Sequence, residues 1–134
     1  NVANLMRPEL RKPNLTFEAS CESDYLTIQV DEEMIEQVII NLVKNAIESI
    51  DSMENGNISI RGKYSEASVI IEVADNGPGI IKEAIGKIFV PFFTTKKAGS
   101  GIGLSLSRQI LQMHNGSLSV ESEPGVKTVF SLRF

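Results

Sequence analysis

The chain has 134 residues, close to the size of one compact domain and long enough to bury most of its apolar surface in a single core. It is 42% hydrophobic and 22% charged, with 10 Gly and 5 Pro, which excludes a low-complexity chain. Thirteen basic against seventeen acidic residues leave a formal net charge of −4, so neither nucleic acid nor an anionic membrane surface is an expected partner.

The single cysteine, Cys21, cannot close an internal disulfide and fits a cytoplasmic setting. No apolar run approaches the roughly 20 residues that span a bilayer, and the N-terminus lacks the pattern of a signal peptide. The chain starts at Asn1 and closes on a strand-like run at Phe134, the pattern of one domain, 1–134, belonging to something longer.

Residues 1–12 predict a short, imperfect helix interrupted by Pro8. Alternating apolar residues predict strands over 14–20 and 25–30. Asp31 then reads as an N-cap for a main helix over 32–51, with Ile35, Val38, Ile39, Leu42, Val43, Ala46 and Ile50 at helical spacing. Its other face carries a polar stripe of Gln37, Asn41, Asn45 and Glu48. Gly56-Asn57 reads as a chain break, followed by two strands through Ile58 and Ile60 and through 69–73. Residues 75–102 predict one short helix near 81–87 and a long mobile loop. A helix over 103–115 carries Leu104, Leu106, Ile110, Leu111 and Met113, stops at Asn115-Gly116, and is followed by two strands near 117–122 and 127–134. This order implies an α+β, two-layer α/β sandwich, with helices on one face of a mixed sheet.

Four blocks could carry chemistry. Asn41 and Asn45 lie one turn apart in a helix that has better helix formers available, and neutral oxygen donors so placed could hold a hydrated Mg²⁺; a plain solvated face explains them equally. Asp75 opens Asp75-Asn76-Gly77-Pro78-Gly79-Ile80 at the end of the most apolar strand. A carboxylate there can accept a hydrogen bond from an exocyclic amine, and glycine lets backbone approach a flat ligand. Gly99-Ser100-Gly101-Ile102-Gly103-Leu104 opens a helix and suits a polyphosphate, although a hinge would read the same. Ile88-Phe89-Val90-Pro91-Phe92-Phe93-Thr94-Thr95-Lys96-Lys97 reads as a hydrophobic anchor, or as a lid whose Thr95, Lys96 or Lys97 reaches phosphate. His114 is expected to pack or cap at a helix end and to do no chemistry.

In this order the blocks resemble the N, G1, F and G2 boxes of the ATP-binding domain shared by sensor histidine kinases, type II topoisomerases, Hsp90 and MutL. The resemblance covers nearly the whole chain. It implies the Bergerat ATP-binding fold, with a sheet of about five to six strands, about three helices and a mobile ATP lid. It also implies ATP and Mg²⁺ as cofactors. Asn45 would ligate the metal, with Asn41, Lys44 and Lys96 at the reacting phosphates and Asp75, Gly77, Gly79, Ile80 and Thr128 around the adenine. Phe89, Thr95, Gly99, Gly101, Ile102, Gly103 and Leu104 would complete the nucleotide contacts. Where family members usually have glycine before that threonine, this chain has Lys127. The hydrolysing ATPases place a glutamate base where this chain has Asn41, and an amide cannot take a proton from water. The resemblance therefore implies an ATP-dependent protein-histidine kinase domain, not competent by itself. It would phosphorylate a histidine on a separate dimerisation domain, with a response regulator downstream and a homodimeric parent that is membrane-anchored or soluble. The Pro91-Phe92-Phe93-Thr94-Thr95-Lys96 wording resembles the nitrogen-regulatory type. A stand-alone anti-sigma-type serine kinase and a non-catalytic nucleotide-sensing module are the alternatives.

Overall fold

The computed structural model of the chain describes residues 2–94 and 101–134. The N-terminal segment forms α1 (Val2–Leu5) and α2 (Arg7–Leu10), with Pro8 in the first turn of α2, where a missing N–H costs nothing. Val2, Met6 and Leu10, spaced by four, are all buried in the core.

The main helix, α3 (Glu32–Ile50), begins where Asp31 Oδ1 accepts a hydrogen bond from Met34 N–H at 3.1 Å, and Glu32 and Glu33 favour its positive end. Its apolar stripe of Ile35, Val38, Leu42, Val43, Ala46, Ile47 and Ile50 is buried.

Among the described residues the sheet has five strands: β1 (Leu15–Cys21), β2 (Gly56–Ser65), β3 (Ser68–Asp75), β4 (Ser117–Glu123) and β5 (Lys127–Arg133), in the order β1-β2-β3-β5-β4. The β1–β2 pair is parallel and the rest antiparallel, so the sheet is mixed. Strand alternation puts Phe17, Ile58, Val73, Phe130 and Leu132 on the helix side, where they join the core, and Glu18, Ser59, Arg61, Glu72 and Ser131 on the other. One covered face and one polar face make the two-layer α+β architecture that the element order implied. The helical layer is completed by one-turn α4 (Lys82–Ile85) and by α5 (Gly103–Met113), which ends with Asn115 at φ 57 and Gly116 N–H bonded to Leu111 O at 2.8 Å.

Three expectations need correction. Residues 26–30 pair with no strand; Leu26 and Ile28 instead turn their side chains onto the helix side of the sheet. There, with Ala19, Ile39, Ile60 and Ile71, they line an apolar cavity of about 310 Å³. Their alternation records one buried side, not a ladder. Gly56-Asn57 does not break the chain but starts β2. Gly56 is buried there because a Cβ would sit 2.7 Å from Ile50 Cδ1. Leu106 and Met113 are 50% and 68% exposed, and Ser107 and Leu111 take the buried positions of α5.

Helix α5 lies against α3 and runs antiparallel to it. Gly103 is beside Asn41, and His114 is beside Asp31. This packing, together with the C-terminal end of β3, brings the sequence motifs to one end of the molecule.

Candidate functional site

Asp75 ends β3 on the buried side, opposite Thr128 of β5, and the two are 7% and 5% exposed. Asp75 Oδ1 accepts hydrogen bonds from Gly77 N–H at 2.9 Å and from Ser49 Oγ, also at 2.9 Å. These fix the plane of the carboxylate. Gly77 is required at its position because a Cβ would lie 2.6 Å from Ser49 Oγ and 2.7 Å from Asp75 Oδ1. Asn76 is used differently: its side-chain oxygen accepts from Asn57 N–H at 2.6 Å and its amide donates to Asn55 O at 2.8 Å. It therefore ties the turn to the α3–β2 connection.

The rest of that turn is strapped to the β4–β5 hairpin. Ile80 N–H donates to Ser122 Oγ at 2.7 Å, Gly125 N–H donates to Pro78 O at 2.7 Å, and Ser122 Oγ lies 3.2 Å from Thr128 Oγ1. Ile80 itself packs against the core. Lys127 is exposed on the face opposite Thr128, so its side chain is directed away from Asp75, and its carbonyl accepts from Ser122 Oγ at 3.0 Å. Ser122→Ala is expected to lower stability by about 1–2 kcal/mol in urea unfolding, because Ile80 N–H loses its acceptor. An unchanged midpoint with an unchanged slope would refute that role.

On α3 a polar stripe of Asn41, Asn45 and Ser49, spaced by four, runs between Gly103 and Asp75. Asn41 Nδ2 donates to Ser107 Oγ at 3.2 Å, and a Cβ on Gly103 would lie 2.5 Å from Asn41 Oδ1, so the N-terminus of α5 meets this end of the stripe. Ser49 meets Asp75 at the other end, about 12 Å along the helix axis at 1.5 Å per residue. Half-buried Asn45 lies between them, and Lys44 and Glu48 are exposed beside it.

Leu104 packs on the core, and Ile102 at the helix start is 42% exposed. Gly101 has φ 70, and a Cβ there would fall 2.5 Å from the carbonyl carbon of Phe92, whose N–H donates to Gly101 O at 2.9 Å. Phe89 is an anchor: its ring meets Phe130 edge-on at 6.5 Å and carries the Arg108 guanidinium 4.5 Å from its centroid. Thr95, Lys96 and Gly99, with the central part of the expected lid, lie outside the described residues.

The geometry thus joins a fixed carboxylate, two amides and a glycine-rich helix start along one rail. Three supporting residues were not singled out from sequence, Ser49, Ser107 and Ser122, and Asn76 was read only as part of its turn. Ser107 left a legible signal, since it shares the buried side of α5 with Leu104 and Leu111, at i+3 and i+7. Among the described residues, no group of three or more His, Cys, Asp or Glu could hold a metal. The donor set at Asn41 and Asn45 suits a hard cation that draws its remaining ligands from phosphate and water.

Residues 30–134 match the family described as histidine kinase-, DNA gyrase B- and HSP90-like ATPases. The chain belongs to this family. Among curated family members, it is 38% identical over 117 residues to the signal transduction histidine-protein kinase AtoS of Escherichia coli K12, covering 87% of this chain and 19% of AtoS. It is 35% identical over 133 residues to sporulation kinase A of Bacillus subtilis 168, covering 99% and 22%. It is 34% identical over 125 residues to the sensory histidine kinase/phosphatase NtrB of Vibrio alginolyticus, covering 86% and 36%. The chain therefore spans about a fifth of the length of the first two. Among solved family structures, the catalytic domain of histidine kinase ThkA superposes with a TM-score of 0.86 at 37% identity, over 99% of this chain and 86% of that one. Full-length ShkA in complex with AMPPNP gives 0.85 at 27% identity, over 98% and 28%. ThkA in complex with the response regulator protein TrrA gives 0.81 at 34%, over 99% and 37%. The fold is that of histidine kinase catalytic domains. No helix among the described residues is long and apolar enough to cross a membrane.

Proposed function

We propose that residues 1–134 form one catalytic domain, which binds Mg-ATP and donates its γ-phosphate to a histidine on a separate dimerisation domain, in two-component signalling. The observation that carries this reading is the rail on α3: Ser49 holds Asp75 at one end, and Asn41 touches the start of α5 at the other. Asp75 and Thr128 would receive the adenine amino group between the Gly77–Ile80 turn and the β4–β5 hairpin. Gly101, Ile102, Gly103 and Leu104 would present the positive end of an 11-residue helix to the phosphates. Asn45 would hold Mg²⁺, which supplies charge neutralisation at the phosphates. Asn41 and Lys44 would orient them, and Thr95 and Lys96 remain candidates by sequence.

The rail has no carboxylate at position 41, where activating a water would need a base, and Asn41 is engaged with Ser107. Positioning and charge neutralisation are what phosphoryl transfer to a better nucleophile requires. The solved ThkA complex with TrrA supports a response regulator as the downstream partner, and the kinship with sensor kinases supports a homodimeric parent acting in the cytoplasm.

The test is transfer of radiolabelled γ-phosphate in the full-length parent. Acid-labile, base-stable label on a histidine, passed on to an aspartate of a response regulator, is the expected result. Acid-stable label on a serine of another protein would support the anti-sigma-type kinase instead. Mg-ATP binding with no transfer at all would support a sensing module.

A further inference from the structure

His114 is joined to both helices that frame the site. Its Nε2 accepts a hydrogen bond from the backbone N–H of Asp31 at 3.1 Å, and its Nδ1 lies 2.7 Å from Ile110 O. A backbone N–H can only donate and a carbonyl can only accept, so the tautomer with its proton on Nδ1 is the one that satisfies both contacts. The ring is aimed by the end of its own helix. Asn115 in the left-handed region and the Gly116 N–H bond to Leu111 O fix the backbone there, and a Cβ on Gly116 would lie 2.6 Å from Arg133 O.

We propose that His114 is a positioning residue for the nucleotide site, clasping the C-terminus of α5 to the N-cap of α3. The two helices are antiparallel, so this clasp sits at the end of α5 and the Asn41–Ser107 bond sits about midway along it, between the clasp and Gly103. Ser107 is seven residues from His114, about 10 Å along a rigid helix. Two polar ties that far apart set both the slide and the rotation of α5. With them they set the distance from the backbone N–H groups at Gly101 and Gly103 to the amides of Asn41 and Asn45. The inference rests on the nucleotide reading of the site, because only a bound ligand would sense that distance.

The test compares three variants of the chain. In His114→Gln the side-chain oxygen reaches the place of Nε2 and can still accept from Asp31 N–H. In His114→Asn the amide reaches only the place of Nδ1, and His114→Phe keeps the ring but neither bond. Long-range ¹H–¹⁵N spectra of the wild-type imidazole should show the neutral Nδ1–H tautomer. Mg-ATP affinity should fall about fivefold in the Asn and Phe variants, the equivalent of one hydrogen bond, and recover to within about twofold in the Gln variant. An Nε2–H tautomer would overturn the proposal. So would a His114→Asn protein that binds Mg-ATP as tightly as wild type, even one with a lowered urea midpoint. If the wild-type chain binds no Mg-ATP, the nucleotide reading fails and the proposal with it. If the wild type binds and only the expected ranking of variants is missing, this proposal alone fails.

Discussion

Asp75→Asn is expected to leave the chain folded and to weaken Mg-ATP binding by about 100-fold, equivalent to about 2.7 kcal/mol. The argument follows from the two donors on Oδ1. Gly77 N–H and Ser49 Oγ–H would both hold the oxygen of an asparagine in that place, so its NH₂ would take the other carboxylate position. A donor would then meet the exocyclic amine of adenine, which is itself a donor, and a charge-assisted bond would become a repulsion. Guanine presents a carbonyl at the equivalent point, so the preference for ATP over GTP should collapse in the same variant. Calorimetric titration of both nucleotides into wild type and variant, with urea unfolding as the control, checks this. Undiminished ATP affinity in a folded Asp75→Asn protein would remove Asp75 from the site.

A second large effect is expected from a matched pair of glycines. Gly79 and Gly125 have φ of 75 and 79, so alanine at either meets the same left-handed penalty of about 1–2 kcal/mol. Their surroundings differ. A Cβ on Gly125 meets nothing within 4 Å, whereas one on Gly79 would lie 2.8 Å from Glu123 O, 3.0 Å from Pro124 Cα and 3.0 Å from Ser122 Oγ. Gly125→Ala should therefore lower stability by about 1 kcal/mol and leave nucleotide affinity near wild type. Gly79→Ala should lower stability by at least about 2–3 kcal/mol, since it pushes the turn away from the hairpin that braces it. It should also weaken Mg-ATP binding at least tenfold. Equal effects from the two substitutions would show that backbone angle alone governs the turn.

The helices and most strands were legible because each shows one buried side to a single core. Asp31, the stripe from Ile35 to Ile50 and the stop at Asn115-Gly116 are local signals that tertiary contacts did not override. Residues 26–30 misled for a related reason: Leu26 and Ile28 alternate because one side is covered, and periodicity cannot say whether a neighbouring backbone supplies the ladder. In the site, the acceptor and the glycines stood out through residue type. The serines that hold them in place did not, because Ser49, Ser107 and Ser122 owe their roles to partners 26, 66 and 42 residues away in the chain.

The bond between Phe92 N–H and Gly101 O closes a neck between two points of the body. Whatever chain runs between those points begins and ends at nearly the same place. Its length is therefore free to change without altering α5 or the sheet, and doubling a loop adds only about 0.6 kcal/mol of closure entropy. Insertions, deletions and exchanged segments between residues 94 and 101 should leave the fold of α5 and the sheet intact, whatever they do to the nucleotide contacts expected of Thr95, Lys96 and Gly99. Descendants of one ancestral domain could diverge there while the rail on α3 stayed the same.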